Sequence, residues 1–194
     1  MRKIVTRAER EEKDKRLKFW LAIFIVGIMA ASTAGFALNF SSDNEESRTY
    51  GDLKFTITEQ GWQPKGYSIA TSYLPQDVEN ISSKGTFSYT DFNSKVYLIS
   101  APYMQNEAIE LLRYLPITNL QQACSKEDEN ISHCADVPLK SCEDASSQSA
   151  IIIFKESNET SIDYSGYCLQ IQGDSEDILK AADKALFIAY GIID

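Results

Sequence analysis

The sequence predicts an α+β protein: an N-terminal single transmembrane helix followed by one mostly antiparallel sheet with two packed helices. Three observations carry this reading. Residues 19–38 form an apolar run without a charge. Leu53, Phe55 and Ile57 alternate with Lys54, Thr56 and Thr58, the period of a half-buried strand. Ala108, Leu111, Leu112 and Leu115 recur at helical spacing, and a second such stripe closes the chain.

The N-terminus sets the topology. Residues 1–18 hold eight basic side chains against four acids, a net +4. Twenty apolar residues at about 1.5 Å each match a hydrocarbon core of about 30 Å. A basic cluster ahead of such a run stays on the cytoplasmic side. The expected layout is a basic cytoplasmic tail at 1–18, a transmembrane helix at 19–40, a polar stalk at 41–51 and an extracytoplasmic domain at 52–194. Trp20 and Phe40 fall near the two interfaces. The rival reading is a cleaved signal peptide, since Ser32-Thr33-Ala34 is an acceptable small-x-small cleavage site. Gly27, Ala31 and Gly35 recur every fourth residue and form a strip of small side chains. That strip predicts helix packing in the membrane, in a homodimer or with a partner membrane protein.

Charge and cysteines agree with export. The chain carries −9, so removing the +4 tail leaves −13 on residues 19–194. Such an acidic domain repels phosphate backbones, and no nucleic-acid partner is expected. Cys124, Cys134, Cys142 and Cys168 all follow the apolar run, and an even count in an exported domain reads as two disulfides. Of three pairings, Cys124–Cys134 with Cys142–Cys168 is preferred. The first closes a small loop, and the second ties a polar insertion to the strand at 167–172. Asn80, Asn130 and Asn158 head glycosylation sequons; Asn39 heads a fourth, too close to the bilayer.

Past the strand at 53–58, Gly61 marks a turn and Trp62 an anchor for the core. Residues 67–73 read as a second extended segment closed by Pro75, and 76–86 as polar and turn-like. Residues 87–90 and 95–100 read as a hairpin around Asp91-Phe92-Asn93-Ser94. A helix follows at 105–115, stopped by Pro116. Residues 121–148 read as a polar loop stapled by disulfides. Ala150 to Phe154 is a buried strand, and 160–164 with 167–172 a hairpin through Ser165-Gly166. The last helix starts near Asp174 as N-cap, with Ile178, Ala182, Ala185 and Ala189 on one face, widened by Ala181 and Leu186. It ends at Gly191 as C′ residue.

The basic tail and single span, Trp62, Leu74-Pro75-Gln76-Asp77-Val78, Cys134-Ala135-Asp136-Val137-Pro138 and the closing Ala181-Ala182-Asp183-Lys184-Ala185-Leu186 before Gly191 form a recognisable pattern. It resembles that of uncharacterised, membrane-anchored archaeal proteins. The resemblance implies a setting at the membrane and no particular activity.

No catalytic constellation is legible. The lone histidine, His133, sits in a polar loop beside Cys134. The cysteine spacings lack a Cys-x-x-Cys pair, so zinc is not expected. Glu107 and Glu110 read as a solvated helix face, and the clusters Glu127-Asp128-Glu129 and Glu143-Asp144 lack calcium-loop spacing. No metal, cofactor or catalytic residue is expected. The leading expectation is a non-catalytic ectodomain that binds a partner protein or serves as a subunit of a membrane assembly. The alternative is a sensor of a small ligand or envelope polymer, using a groove between helix and sheet.

Overall fold

A computed structural model describes residues 16, 18–29, 46–101, 104–126 and 134–193. The chain divides into two compact units, Met1–Glu45 and Glu46–Asp194. In the first, residues 18–29 are helical (α1), with Phe19, Trp20 and Phe24 exposed. Among the described residues no helix is long and apolar enough to cross a membrane. Positions 30–40 of the expected span lie outside the described residues, and so do Ala31, Gly35 and Asn39.

The second unit holds two sheets where the sequence suggested one. Strands β1 (Ser47–Tyr50), β2 (Leu53–Thr58) and β3 (Gly61–Pro64) form an antiparallel three-stranded sheet. Residues 47–50, read as stalk, are therefore a strand. β1 is an edge strand with Arg48 and Thr49 exposed, so it carries no apolar alternation to betray it. In β2 only Phe55 is fully buried, and its ring meets Phe187 edge-on at 6.2 Å. The segment after β3 returns to it: Trp62 and Thr71 exchange backbone hydrogen bonds at 2.7 and 3.0 Å. Trp62 is half-buried against this smaller core of Phe55, Ile69, Leu74, Val78 and Phe187.

The larger sheet comprises β4 (Ser82–Lys84), β5 (Lys95–Ser100), β6 (Asn119–Ser125), β7 (Leu139–Lys140), β8 (Ser149–Glu156), β9 (Ser161–Ser165) and β10 (Cys168–Gly173). Its order is β4-β9-β10-β8-β5-β6-β7. Only the β9–β10 pair is antiparallel; the other five pairings are parallel. The expectation of a mostly antiparallel sheet is thus corrected. The physical reason lies in β8, where Ala150, Ile151, Ile152 and Phe154 are all buried. A continuous apolar run is the mark of a strand covered on both faces, as parallel strands are.

Two local readings change with it. Residues 87–90 do not pair with β5. Tyr89–Phe92 is a turn of 3-10 helix, capped by Ser88 and Asp91. Residues 119–125, read partly as loop, are β6, a strand whose only fully buried members are Ala123 and Cys124. The hairpin β9–β10 does form, turning at Gly166 and Tyr167, both with positive φ (58° and 67°). That is the backbone of a type I′ turn, whose twist suits a two-residue hairpin.

Helices α2 (Pro75–Val78), α3 (Gln105–Leu112) and α4 (Ile178–Ala189) complete the unit. Ala108, Leu111 and Leu112 of α3 pack with Val96, Ile152, Leu169 and Ile171 of the sheet. α4 is buried nearly all round: Ile178, Ala182 and Ala185 face the main core, and Phe187 the smaller one. Asp174 Oδ1 accepts from the amides of Glu176 and Asp177 at 2.9 and 2.8 Å in the turn that leads into α4. At the other end Gly191 (φ 66°) donates to Ile188 O and Ile192 to Phe187 O, a Schellman closure. α3 and α4 cover one face of the larger sheet. The other face, with Tyr97, Ile99, Ile151 and Ile153, is covered instead by the segment containing Cys142 and Ala145.

Candidate ligand-binding cleft

The helix-free face carries a cleft of about 740 Å³ where β5, β6 and β8 end. Its position follows from the strand order. After β5 the chain leaves onto the helical face as α3; after β7 it passes over the opposite face as residues 141–145. In the sheet β5 leads on to β6, while its other neighbour β8 leads the opposite way to β9 and β10, and such a reversal opens a crevice at the strands' carboxyl ends, where ligands of open α/β sheets bind. Ile99, Ala123 and Ile153 floor the cleft, and residues 140–143 form a wall.

That wall is held by covalent bonds. Cys124 is joined to Cys134 and Cys142 to Cys168, so β6 and β10 each anchor an end of the covering segment. This is the pairing preferred from the sequence. Cys168 is buried, and Gln170 Nε2 lies 3.1 Å from Cys142 Sγ. A 3-10 turn at Cys142–Asp144 carries the chain across the sheet, capped by Asp144 Oδ2, which accepts from the Ser141 amide at 2.9 Å.

The polar groups are unevenly matched. Lys126 pairs with Asp144 at 3.1 Å. The Ser141 amide and then Lys126 hold the Asp144 carboxyl below its ordinary range. Lys140 takes a different position, with Nζ 4.8 Å from the centroid of the Tyr97 ring. Lys95 Nζ sits 4.4 Å from the same centroid and donates to the Tyr97 hydroxyl at 2.7 Å. That bond, ahead of the two lysine charges, pushes the phenol below its ordinary pKa. Ser100, which also lines the cleft, has its Oγ buried without a hydrogen-bond partner among the described residues. A smaller, polar hollow of about 290 Å³ lies beside β4 and β9, bordered by Lys84, Asp163 and Gln172.

The residues singled out in the sequence fall as follows. The four cysteines lie around the cleft or beneath its wall. Asn80 and Asn158 are exposed, open to modification; Asn130 and His133 lie outside the described residues, as do Glu127, Asp128 and Glu129. Gly27 is within α1, with open space around it. Glu110 lies near Arg113 at 3.4 Å, as a solvated face would. Glu107 does not fit that reading: its Oε2 is buried, with no hydrogen-bond partner among the described residues. Among the described residues no three His, Cys, Asp or Glu side chains converge as a metal site. The cleft itself, with Lys126 and Lys140, was not legible. Its residues come from β5, β6, β7, β8, β10 and the turn at Cys142–Asp144, and no spacing in the chain links them. Comparison with protein-family models, with curated proteins and with solved structures finds no match for this chain.

Proposed function

We propose that this chain is a membrane-anchored, extracytoplasmic binding protein that holds a small molecule in the cleft at the ends of β5, β6 and β8. In this reading residues 1–18 stay in the cytoplasm, the apolar run anchors the chain, and the disulfide-bonded unit stands outside and binds without catalysing. The observation that carries it is the cleft: a concavity of about 740 Å³ at a switch point of a mainly parallel sheet. Small-molecule sites commonly measure about 300–1,000 Å³ and mix apolar lining with a few polar groups. The two disulfides support an oxidising compartment. Binding to a partner protein was the leading expectation from sequence. Among the described residues of this unit the exposed large apolar side chains, Ile57, Tyr89, Ile109 and Leu120, sit on four different elements, so a concave site is the better-supported surface. The cleft lies on the helix-free face, away from the helix–sheet groove first expected.

Native mass spectrometry of the full chain, released from its own membranes, tests this. A small-molecule adduct should remain on the wild type and vanish from Ile153→Trp, where an indole fills the half-buried floor. A stoichiometric partner polypeptide with no small-molecule adduct would overturn it in favour of a protein-binding role. Protease applied outside intact cells should cut at 41–45 and spare the tail; loss of the tail would overturn the topology.

A further inference from the structure

The ligand class follows from the charges around the cleft, and this step rests on the reading of the cleft as a ligand site. Residues 46–194 contain eleven basic and twenty-two acidic side chains. The cleft departs from that two-to-one excess of acids: Lys126, Lys140 and Lys155 line it against Glu143 and Glu156. A concavity richer in lysine than the acidic surface around it gives an anion a local site that the rest of that surface does not offer.

The lysines differ in what they offer. Lys126 is answered by Asp144, itself held by the Ser141 amide. Lys140 instead rests over the Tyr97 ring, which already carries the ammonium of Lys95 on its hydroxyl and near its face. Two ammonium groups near one ring repel each other, and the ring's quadrupole offsets only part of that. An anion beside Lys140 would relieve the repulsion and replace a weak contact with a strong one. Beneath it lie Ile99, Ala123 and Ile153, a floor suited to hydrocarbon.

We infer that the cleft selects a small organic anion, a carboxylate or similar acid group borne on an apolar body, with Lys140 contacting the charge and the β5–β6–β8 floor the body. The probes are trifluoromethyl-benzoate and the neutral trifluoromethyl-benzamide, titrated by fluorine NMR onto the full chain in lipid nanodiscs, with Ile153→Trp protein as background. The benzoate should saturate, and the benzamide should bind at least about tenfold more weakly. Lys140→Met keeps the stem and removes the charge, so it should weaken the benzoate about fivefold and leave the benzamide unchanged. Lys140→Arg should restore the preference. Equal binding of the two probes, or no effect of Lys140→Met, overturns the anion inference while the cleft stands, provided Ile153→Trp abolishes both. If neither probe saturates above that background, the inference falls together with the ligand-site reading.

Discussion

The backbone amide of Tyr73 donates to Asp183 Oδ2 at 2.9 Å, joining positions 110 apart in the chain. The Ser72 amide makes the same bond at 2.9 Å. On the neighbouring residue, Lys184 Nζ donates to the carbonyls of Glu79 and Ile81 at 3.0 and 2.6 Å. Two adjacent charged residues, both buried in α4, thus fasten the connection between the smaller sheet and β4. Buried charges are tolerated when hydrogen bonds replace water, and here backbone groups do so.

Asp183 should make stability pH-dependent. Burial pushes its carboxyl up to about 7 from an ordinary 3.8, against the pull of the Tyr73 and Ser72 amides and with help from the negative charge of Glu110. The folded state therefore keeps a proton that the unfolded chain has lost across this window. Stability from this group is full below about pH 4 and is lost as pH rises to about 7. Asp183→Asn keeps an acceptor without the charge, so it should gain on the wild type in urea denaturation as pH rises from about 4 to about 7. Parallel profiles for the two proteins would show that Asp183 does not titrate there. Asp183→Ala leaves two amides unpaired and should cost about 3 kcal/mol.

Lys184→Met keeps the apolar stem and removes both hydrogen bonds. It should cost about 2 kcal/mol by leaving two carbonyls without their donor. Hydrogen exchange should quicken at residues 79–84 before it does in β8. Uniform quickening across the unit would mean that Lys184 acts on the whole core.

The disulfides can be ranked. Their partners are 26 residues apart for Cys142–Cys168 and 10 for Cys124–Cys134. In the chain-entropy account, replacing both cysteines of the longer bridge by Ala costs about 3.5 kcal/mol and of the shorter about 2.7 kcal/mol. Denaturant midpoints should fall in that order. Loss of Cys142–Cys168 should also weaken binding of the benzoate probe, because the wall at 140–143 then has one tether fewer.

Gly85 has φ 80°, and a Cβ there would lie 2.1 Å from the carbonyl oxygen of Tyr164. Gly85→Ala must displace backbone at the β4–β9 edge and should lower stability by about 2 kcal/mol. Gly66, also at positive φ (92°) but with open space around it, should cost about half as much on the same change. Thermal or urea unfolding of the two variants gives the comparison; equal losses would leave φ alone as the cause.

What the sequence determined was local. The alternation at 53–58, the stripe Ala108, Leu111, Leu112 and Leu115, the apolar run at 150–154, the hairpin after Thr160 and the Gly191 closure all depend on neighbours a few residues away. The place of each cysteine, within the polar insertion or at the strand after it, likewise favoured the pairing that forms. Strand direction and strand order were decided only in three dimensions. Whether β5 meets β8 and β6 in parallel depends on α3 crossing one face and the disulfide-bound segment the other, a matter of packing between distant elements. β1 and β6 were missed because an edge strand, or one buried at only two positions, needs no apolar alternation. The cleft was hidden for the same reason: Ile99, Ala123, Lys140 and Ile153 become neighbours through sheet pairing and a covalent tether. The burial of Asp183 and Lys184 follows likewise from α4 lying between two cores, a placement that amphipathic periodicity, which assigns each helix one wet face, does not encode.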